Sequence, residues 1–297
     1  MNRIAGFLLS VVLLHQAVFA DPAESMLPES FSGQLRGTVS QFMEFERDDH
    51  SLLVLKRSVL FGRDGKPAAE RNYGAAGALA GETRFVYTKN ALLSEIRGTD
   101  ATGRLTWRYA YAYDELGRTI SESAFDSSGN LEGRESYSYD DSGLLVKTAR
   151  FDKDGNISLQ DTFQYDGASR LIARLIARLT LYSDGKLLKR VMYFYNAQGR
   201  KAVEERYNAN GLYEREEYAY GTDGYLAAVK TFAADGALKR REKRLNGSDG
   251  RILEENVFGP DGTLVSRTEY QYDETGNWVS RHKTDGSIAF REYIYAE

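Results

Sequence analysis

The sequence reads as an all-β chain: a repetitive antiparallel β-hairpin meander, built on a 26-residue double-hairpin repeat and curled into a spiral or tube. A turn ending in glycine recurs along most of the chain, at steps that alternate between 12 and 14 residues. Between turns the side chains alternate with the two-residue period of a strand. Tyr 20 and Gly 28 against Pro 4 and Trp 2 suit many strands joined by tight turns.

Residues 1–20 carry Arg3, an apolar stretch from Ile4 to Leu14, and small residues at Ala17-Val18-Phe19-Ala20. This is the pattern of a secretory signal peptide, and the apolar run is too short to span a bilayer. The expected destination is periplasmic or secreted. With Cys 0 the chain forms no disulfide and relies on packing alone there. Residues 21–40 hold two of the four prolines and no repeat, and are expected to form an N-terminal leader that caps the first strand.

Residues 41–297 form the repeat domain. Its turns read YDELG at Gly117, FDSSG at Gly129, YDDSG at Gly143, FDKDG at Gly155, YNAQG at Gly199, YNANG at Gly211, FGPDG at Gly262 and YDETG at Gly276. Extending the rhythm places further turns at Ser51, Gly65, Gly77, Ala91, Gly103, Ser169, Gly185, Gly224, Gly236, Gly250 and Gly286. Asp or Asn before glycine supports a hairpin turn by bonding its own backbone. The aromatic four residues before the glycine is mostly Tyr at one class of turn (Tyr87, Tyr113, Tyr139, Tyr165, Tyr195, Tyr220, Tyr272) and often Phe at the other (Phe125, Phe151, Phe232, Phe258). A 16-residue step from Ser169 to Gly185 contains the duplication Leu171–Arg174 and Leu175–Arg178, which predicts a bulge or extended strand. The 13-residue step from Gly211 to Gly224 predicts a local kink.

Two residues after the glycine stand Leu79, Leu105, Leu131, Ile157, Leu187, Tyr213, Leu238, Leu264 and Ile288. Even spacing assigns them to the face of Tyr111/Tyr113, Tyr137/Tyr139 and Tyr270/Tyr272, which is the expected core face. Five residues after the glycine come Arg108, Arg134, Arg190, Arg241, Arg267 and Arg291, on the face expected to be wet. About twenty strands at ~4.8 Å would make a sheet on the order of 90 Å across, and so wide a sheet with one apolar face curls. No helix of useful length is indicated.

Lys+Arg 39 against Asp+Glu 43 gives a net charge of −4, and the signs are interspersed, which is not the footprint of a nucleic-acid binder. Glu135, Asp161, Glu217, Glu242 and Glu292 are assigned to the tyrosine face, and so many carboxylates argue against a lipid-facing barrel. The three histidines, His15, His50 and His282, are too scattered for a metal cluster or a histidine-dependent triad. Asp152-Lys153-Asp154-Gly155 lacks the first ligand and the distal Glu of a calcium loop and reads as a turn. Glu204/Glu205, Glu216/Glu217 and Glu254/Glu255 are adjacent in strands, so their side chains point to opposite faces and do not pair as a glycosidase would require. No enzyme activity, cofactor or metal is expected.

The remaining candidates are surfaces. Tyr111, Tyr137, Tyr193, Tyr218 and Tyr270 can stack on sugar rings or, more simply, pair across strands. Arg108, Arg134, Arg190 and Arg267 can grip an acidic polymer or pair with neighbouring acids. The tandem turns Tyr113-Asp114-Glu115-Leu116-Gly117-Arg118 and Tyr139-Asp140-Asp141-Ser142-Gly143-Leu144 resemble the YD repeats of bacterial RHS proteins, over roughly residues 50–297. That resemblance implies a spiralling β shell, a link to toxin cargo and, in some members, carbohydrate binding. The functional expectation is an exported, non-catalytic repeat protein that presents an elongated β surface to a protein or a cell-envelope polysaccharide. The alternatives are a shell or immunity-like component of an RHS-type toxin system and, last, a glycan-cleaving enzyme. Neither nucleic acid nor a membrane span is expected among its partners.

Overall fold

The computed structural model describes residues 35–47, 52–74, 76–167 and 175–296. The signal segment, the leader up to residue 34, and the first copy of the duplication at 171–174 lie outside these. The described chain is all strand and turn, with no helix. The first ten strands are β1 (Val39–Arg47), β2 (Leu53–Phe61), β3 (Pro67–Tyr73), β4 (Leu79–Tyr87), β5 (Leu93–Asp100), β6 (Leu105–Tyr113), β7 (Thr119–Asp126), β8 (Leu131–Tyr139), β9 (Leu145–Asp152) and β10 (Ile157–Tyr165). Then follow β11 (Leu175–Tyr182), β12 (Leu187–Tyr195), β13 (Lys201–Asn208), β14 (Gly211–Tyr220), β15 (Leu226–Ala233), β16 (Leu238–Asn246), β17 (Ile252–Phe258), β18 (Leu264–Tyr272), β19 (Trp278–Lys283) and β20 (Ile288–Tyr295).

Every strand pairs antiparallel with its neighbours in sequence, and β20 pairs back onto β1, with Phe42 opposite Tyr293 and Glu44 opposite Arg291. The meander is therefore a closed tube, with no free edge. The stagger is regular: Arg108 of β6 faces Phe125 of β7, and Ser123, two residues back, faces Arg134 of β8. Two residues of slip per two strands, at ~3.3 Å and ~4.8 Å, tilt the strands by roughly 35° and give a backbone diameter of about 37 Å.

One turn geometry closes most hairpins. The Asp114 amide donates to the Arg118 carbonyl and the Gly117 amide to the Asp114 carbonyl, both at 3.0 Å. Asp114 Oδ1 accepts from the amides of Leu116 at 3.0 Å and Arg118 at 2.9 Å. This is a type I turn followed by a left-handed residue, and Gly117 takes that place with φ +79°. Ala91 fills the same position with φ 60°, as the one non-glycine residue among those described to have positive φ.

Next to nearly every such turn the ladder slips by one residue, as between Ala112 and Tyr113 and between Ala124 and Phe125. This slip overturns part of the expected facing, because parity counted from the glycine changes before mid-strand. Leu131 stands opposite Phe125 and Leu264 opposite Phe258, on the outer wall, so these leucines are not core residues. Leu79, Leu131 and Leu264 are 38%, 39% and 45% exposed. Their counterparts at the other rim do turn inward: Leu93 packs with Phe85, Ile96 and Tyr111, and Thr119 is fully buried.

Two hairpins break phase. At the 13-residue step the missing residue is taken out of the turn, where Asn208 pairs directly with Gly211, and Glu217 goes to the outer wall while Glu214 and Glu216 face inward. Between β19 and β20 the register runs without a slip, so Arg291 and Tyr293 face inward and Glu292 outward. Arg291 thus leaves the outer arginine row, and Glu217 and Glu292 leave the tyrosine face.

Candidate functional site: the two walls of the tube

The inner wall is tied by tyrosines at one rim. Tyr139 Oη donates to the Thr119 carbonyl, Tyr165 to Leu145 and Tyr220 to Lys201, each at 2.8 Å, and Tyr113 to Leu93 at 2.5 Å. In the one repeat where Asn246 replaces the tyrosine, its Nδ2 donates to the Leu226 carbonyl at 3.0 Å. The basic residue after the glycine lies over the next tyrosine: Arg118 over Tyr139 at 4.7 Å and Arg200 over Tyr220 at 4.5 Å. A side-chain donor at this rim reaches a carbonyl of the preceding strand, which accounts for the prevalence of tyrosine in this class of turn.

All five candidate tyrosines face inward. Tyr111 is buried in the cluster with Phe85, Leu93 and Ile96. Tyr137 donates to Glu122 at 3.5 Å, Tyr218 to Glu216 at 2.6 Å and Tyr270 to Glu255 at 3.2 Å. Lys201 Nζ lies between the rings of Tyr218, at 4.1 Å, and Tyr193, at 5.9 Å. Burial, then the neighbouring carboxylate, pushes the Tyr270 hydroxyl up to about 12. These rings are engaged with the wall itself.

Around mid-height the inner wall carries charge: Glu135, Asp161 and Glu242 lie on the tyrosine face where the spacing assigned them, and arginines and further acids that the spacing did not single out join them. Asp161 receives Arg178 Nη2 at 2.8 Å and Nε at 3.1 Å. Arg206 reaches Glu204 and Glu214 at 2.6 Å and Glu216 at 2.9 Å, with Glu204 fully buried. At the seam Arg291 pairs with Glu44 at 2.8 Å and lies over Trp278 at 3.9 Å and Phe42 at 4.6 Å. Glu122 and Glu135 stand directly opposite one another. Burial, and secondarily the Glu135 charge, pushes the Glu122 carboxyl up to about 7. Inward parity corrected for the slip would also have found Glu122, Arg178, Glu204 and Arg206. The acid pairs adjacent in sequence do separate: Glu204 faces inward toward Arg206, while Glu205 faces Arg215 on the outside.

The outer wall carries the other aromatic class. Arg108 lies over Phe125 at 4.0 Å, Arg134 over Phe151 at 4.6 Å, Arg190 over Tyr207 at 4.4 Å, Arg215 over Phe232 at 5.9 Å and Arg241 over Phe258 at 5.0 Å. Each pair is opposed in register. Arg267 continues the row without a ring and pairs with Glu254 and Glu269 at 3.6 Å. Phe suits this rim because the ring serves as a floor for a guanidinium and no carbonyl needs a donor. In the turns, hydrogen bonds from Thr102, Asn130 and Asn156 hold Asp100, Asp126 and Asp152 below the usual carboxylate range. Asp152 is thereby occupied by its own turn.

No protein-family model matches the chain, and no curated protein matches it. Among solved structures, a porin-like protein from Bacteroides uniformis is 8% identical, covering 88% of this chain and 99% of that one with a TM-score of 0.41. The Photorhabdus luminescens Tc holotoxin pore is 15% identical over 78% of this chain and 15% of that one, TM-score 0.22. A TcdB2–TccC3 structure is 14% identical over 80% and 15%, with the same TM-score. The chain spans a small part of those two toxin chains.

Proposed function

We propose that this is an exported, non-catalytic β-tube that works through its outer wall, as a water-facing surface for a partner outside the cytoplasm. The carrying observation is that the outer wall bears charge at mid-strand at Arg108, Arg134, Arg190, Arg215, Arg241 and Arg267, interleaved with Glu95, Glu205, Glu217, Glu254 and Glu269. A band against lipid does not hold such a row. The carboxylates on the tyrosine face do not bear on lipid contact, since that face is internal. Inner tyrosines and acids are spent on one another, which leaves the outer wall as the free surface. The turn geometry of Tyr113–Arg118 also supports, as part of this proposal, kinship with the RHS-type repeat.

The test is purification and vesicle flotation. The chain from residue 21 on is expected to be monodisperse without detergent, to stay at the bottom of a flotation gradient with anionic or zwitterionic vesicles, and to leave polysaccharides uncleaved. Flotation with the vesicles, or release of reducing ends, contradicts the proposal.

A further inference from the structure

We propose that the outer wall from β6 to β13, along the row from Arg108 to Arg190, binds an anionic polysaccharide laid around the tube, with the stacked arginines holding its carboxylates. The inference deepens the reading above and rests on it.

The geometry is a row. Arg108, Arg134, Gln160 and Arg190 occupy successive even strands, each slipped by two residues from the last. Two strands across and two residues along give a spacing of about 12 Å, and the slip matches the strand tilt, so the row runs round the tube at nearly constant height. That spacing is comparable to a disaccharide in an extended glycan. A chain lying along the row meets four stations one disaccharide apart, three of them guanidinium groups and the third in order an amide, Gln160.

The chemistry suits carboxylates. A guanidinium held over a ring has already lost much of its side-chain freedom, so a bidentate carboxylate contact costs less to form. Among the described residues Arg134 and Arg190 make no ion pair with a carboxylate; their described contacts are with Phe151 and Tyr207. Arg108, at the start of the row, shares its guanidinium with Glu95 at 3.3 Å; further round, Arg215 and Arg267 are each matched by two acids, while Arg241 lies over Phe258. The strands between Arg134 and Arg190 offer Lys147, Ser136, Thr162 and Gln164 on the outer side, groups that hydrogen-bond sugar hydroxyls. Nucleic acid fits less well, since the rings lie beneath guanidinium groups where bases cannot stack and the chain as a whole is at −4.

The experiment measures affinity for hyaluronan fragments, which carry one carboxylate per disaccharide, with neutral dextran and duplex DNA as comparisons. Hyaluronan is expected to bind, more weakly at high salt, and dextran not to bind. R134Q/R190Q is expected to lose at least tenfold, R134K/R190K to lose part of that, and Arg84→Gln on β4 to change nothing. Gln160→Glu, which sets in the row a charge of the same sign as the polysaccharide's without touching a stacked pair, is expected to lose at least tenfold with an unchanged melting temperature; it decides the matter should R134Q/R190Q fail to fold. Hyaluronan binding unaffected by Gln160→Glu, tighter binding to DNA, or no hyaluronan binding by a soluble tube overturns this inference. The last result leaves the broader reading of a water-facing tube standing, whereas vesicle insertion overturns that reading itself.

Discussion

In Tyr113–Arg118 each motif residue has its own task. Tyr113 ties the rim to Leu93, Asp114 holds two amides, Gly117 takes the left-handed corner, and Arg118 caps Tyr139. These tasks are local, which is why the turn was legible from spacing alone. Ala91 shows the converse. It sits at φ 60°, where a Cβ is strained, and its carbonyl accepts from Lys66 Nζ. Ala91→Gly is expected to raise stability by about 1 kcal/mol in urea unfolding, since alanine at positive φ costs about that much or more; a loss of stability would refute the strain. Glu122 gives a second outcome at this scale. Its carboxyl, ordinarily near 4.5, is at about 7 in the folded tube. A raised carboxylate favours the fold fully below its unfolded value and loses that contribution as pH rises through 7. The native chain is therefore expected to lose up to about 3 kcal/mol between pH 4.5 and 8 that Glu122→Gln does not lose. Parallel pH profiles of the two proteins would contradict this.

Strand number and order were readable because turns and alternation specify them; observed strands run from six residues in β19 to ten in β14. Facing near the turns was not, because a one-residue slip leaves no mark in the glycine spacing yet moves Leu131 from core to surface. The same sensitivity explains how one residue fewer in a single turn reassigns Glu217. The hairpin of β10 and β11 is held from inside by Asp161, Arg178 and Thr180. Asp161→Ala takes away the carboxylate hydrogen-bonded to the buried Arg178 and is expected to cost about 3–5 kcal/mol. Replacing both Asp161 and Arg178 with apolar residues is expected to cost clearly less. A double variant as unstable as the sum of the two single ones would show that the pair is not coupled.

Curling was predictable from the width of the sheet, and closure was not, because a spiral and a tube share every hairpin and differ only where β20 meets β1. That seam depends on residues over 240 apart in sequence: Arg291 against Glu44 and Phe42, and Asn277 against Arg36, whose amide donates to Asn277 Oδ1 at 2.7 Å. The outer arginine row belongs to this scale too, since its level course follows from one constant stagger carried round the wall. The native chain has no cysteine, so one engineered pair reports cleanly. Met43 and Glu292 are opposed across the seam on the outer side. With Met43→Cys and Glu292→Cys, the closed tube predicts rapid formation of an intramolecular disulfide in the folded monomer and a raised melting temperature; free thiols, or cross-links only between molecules, would contradict closure.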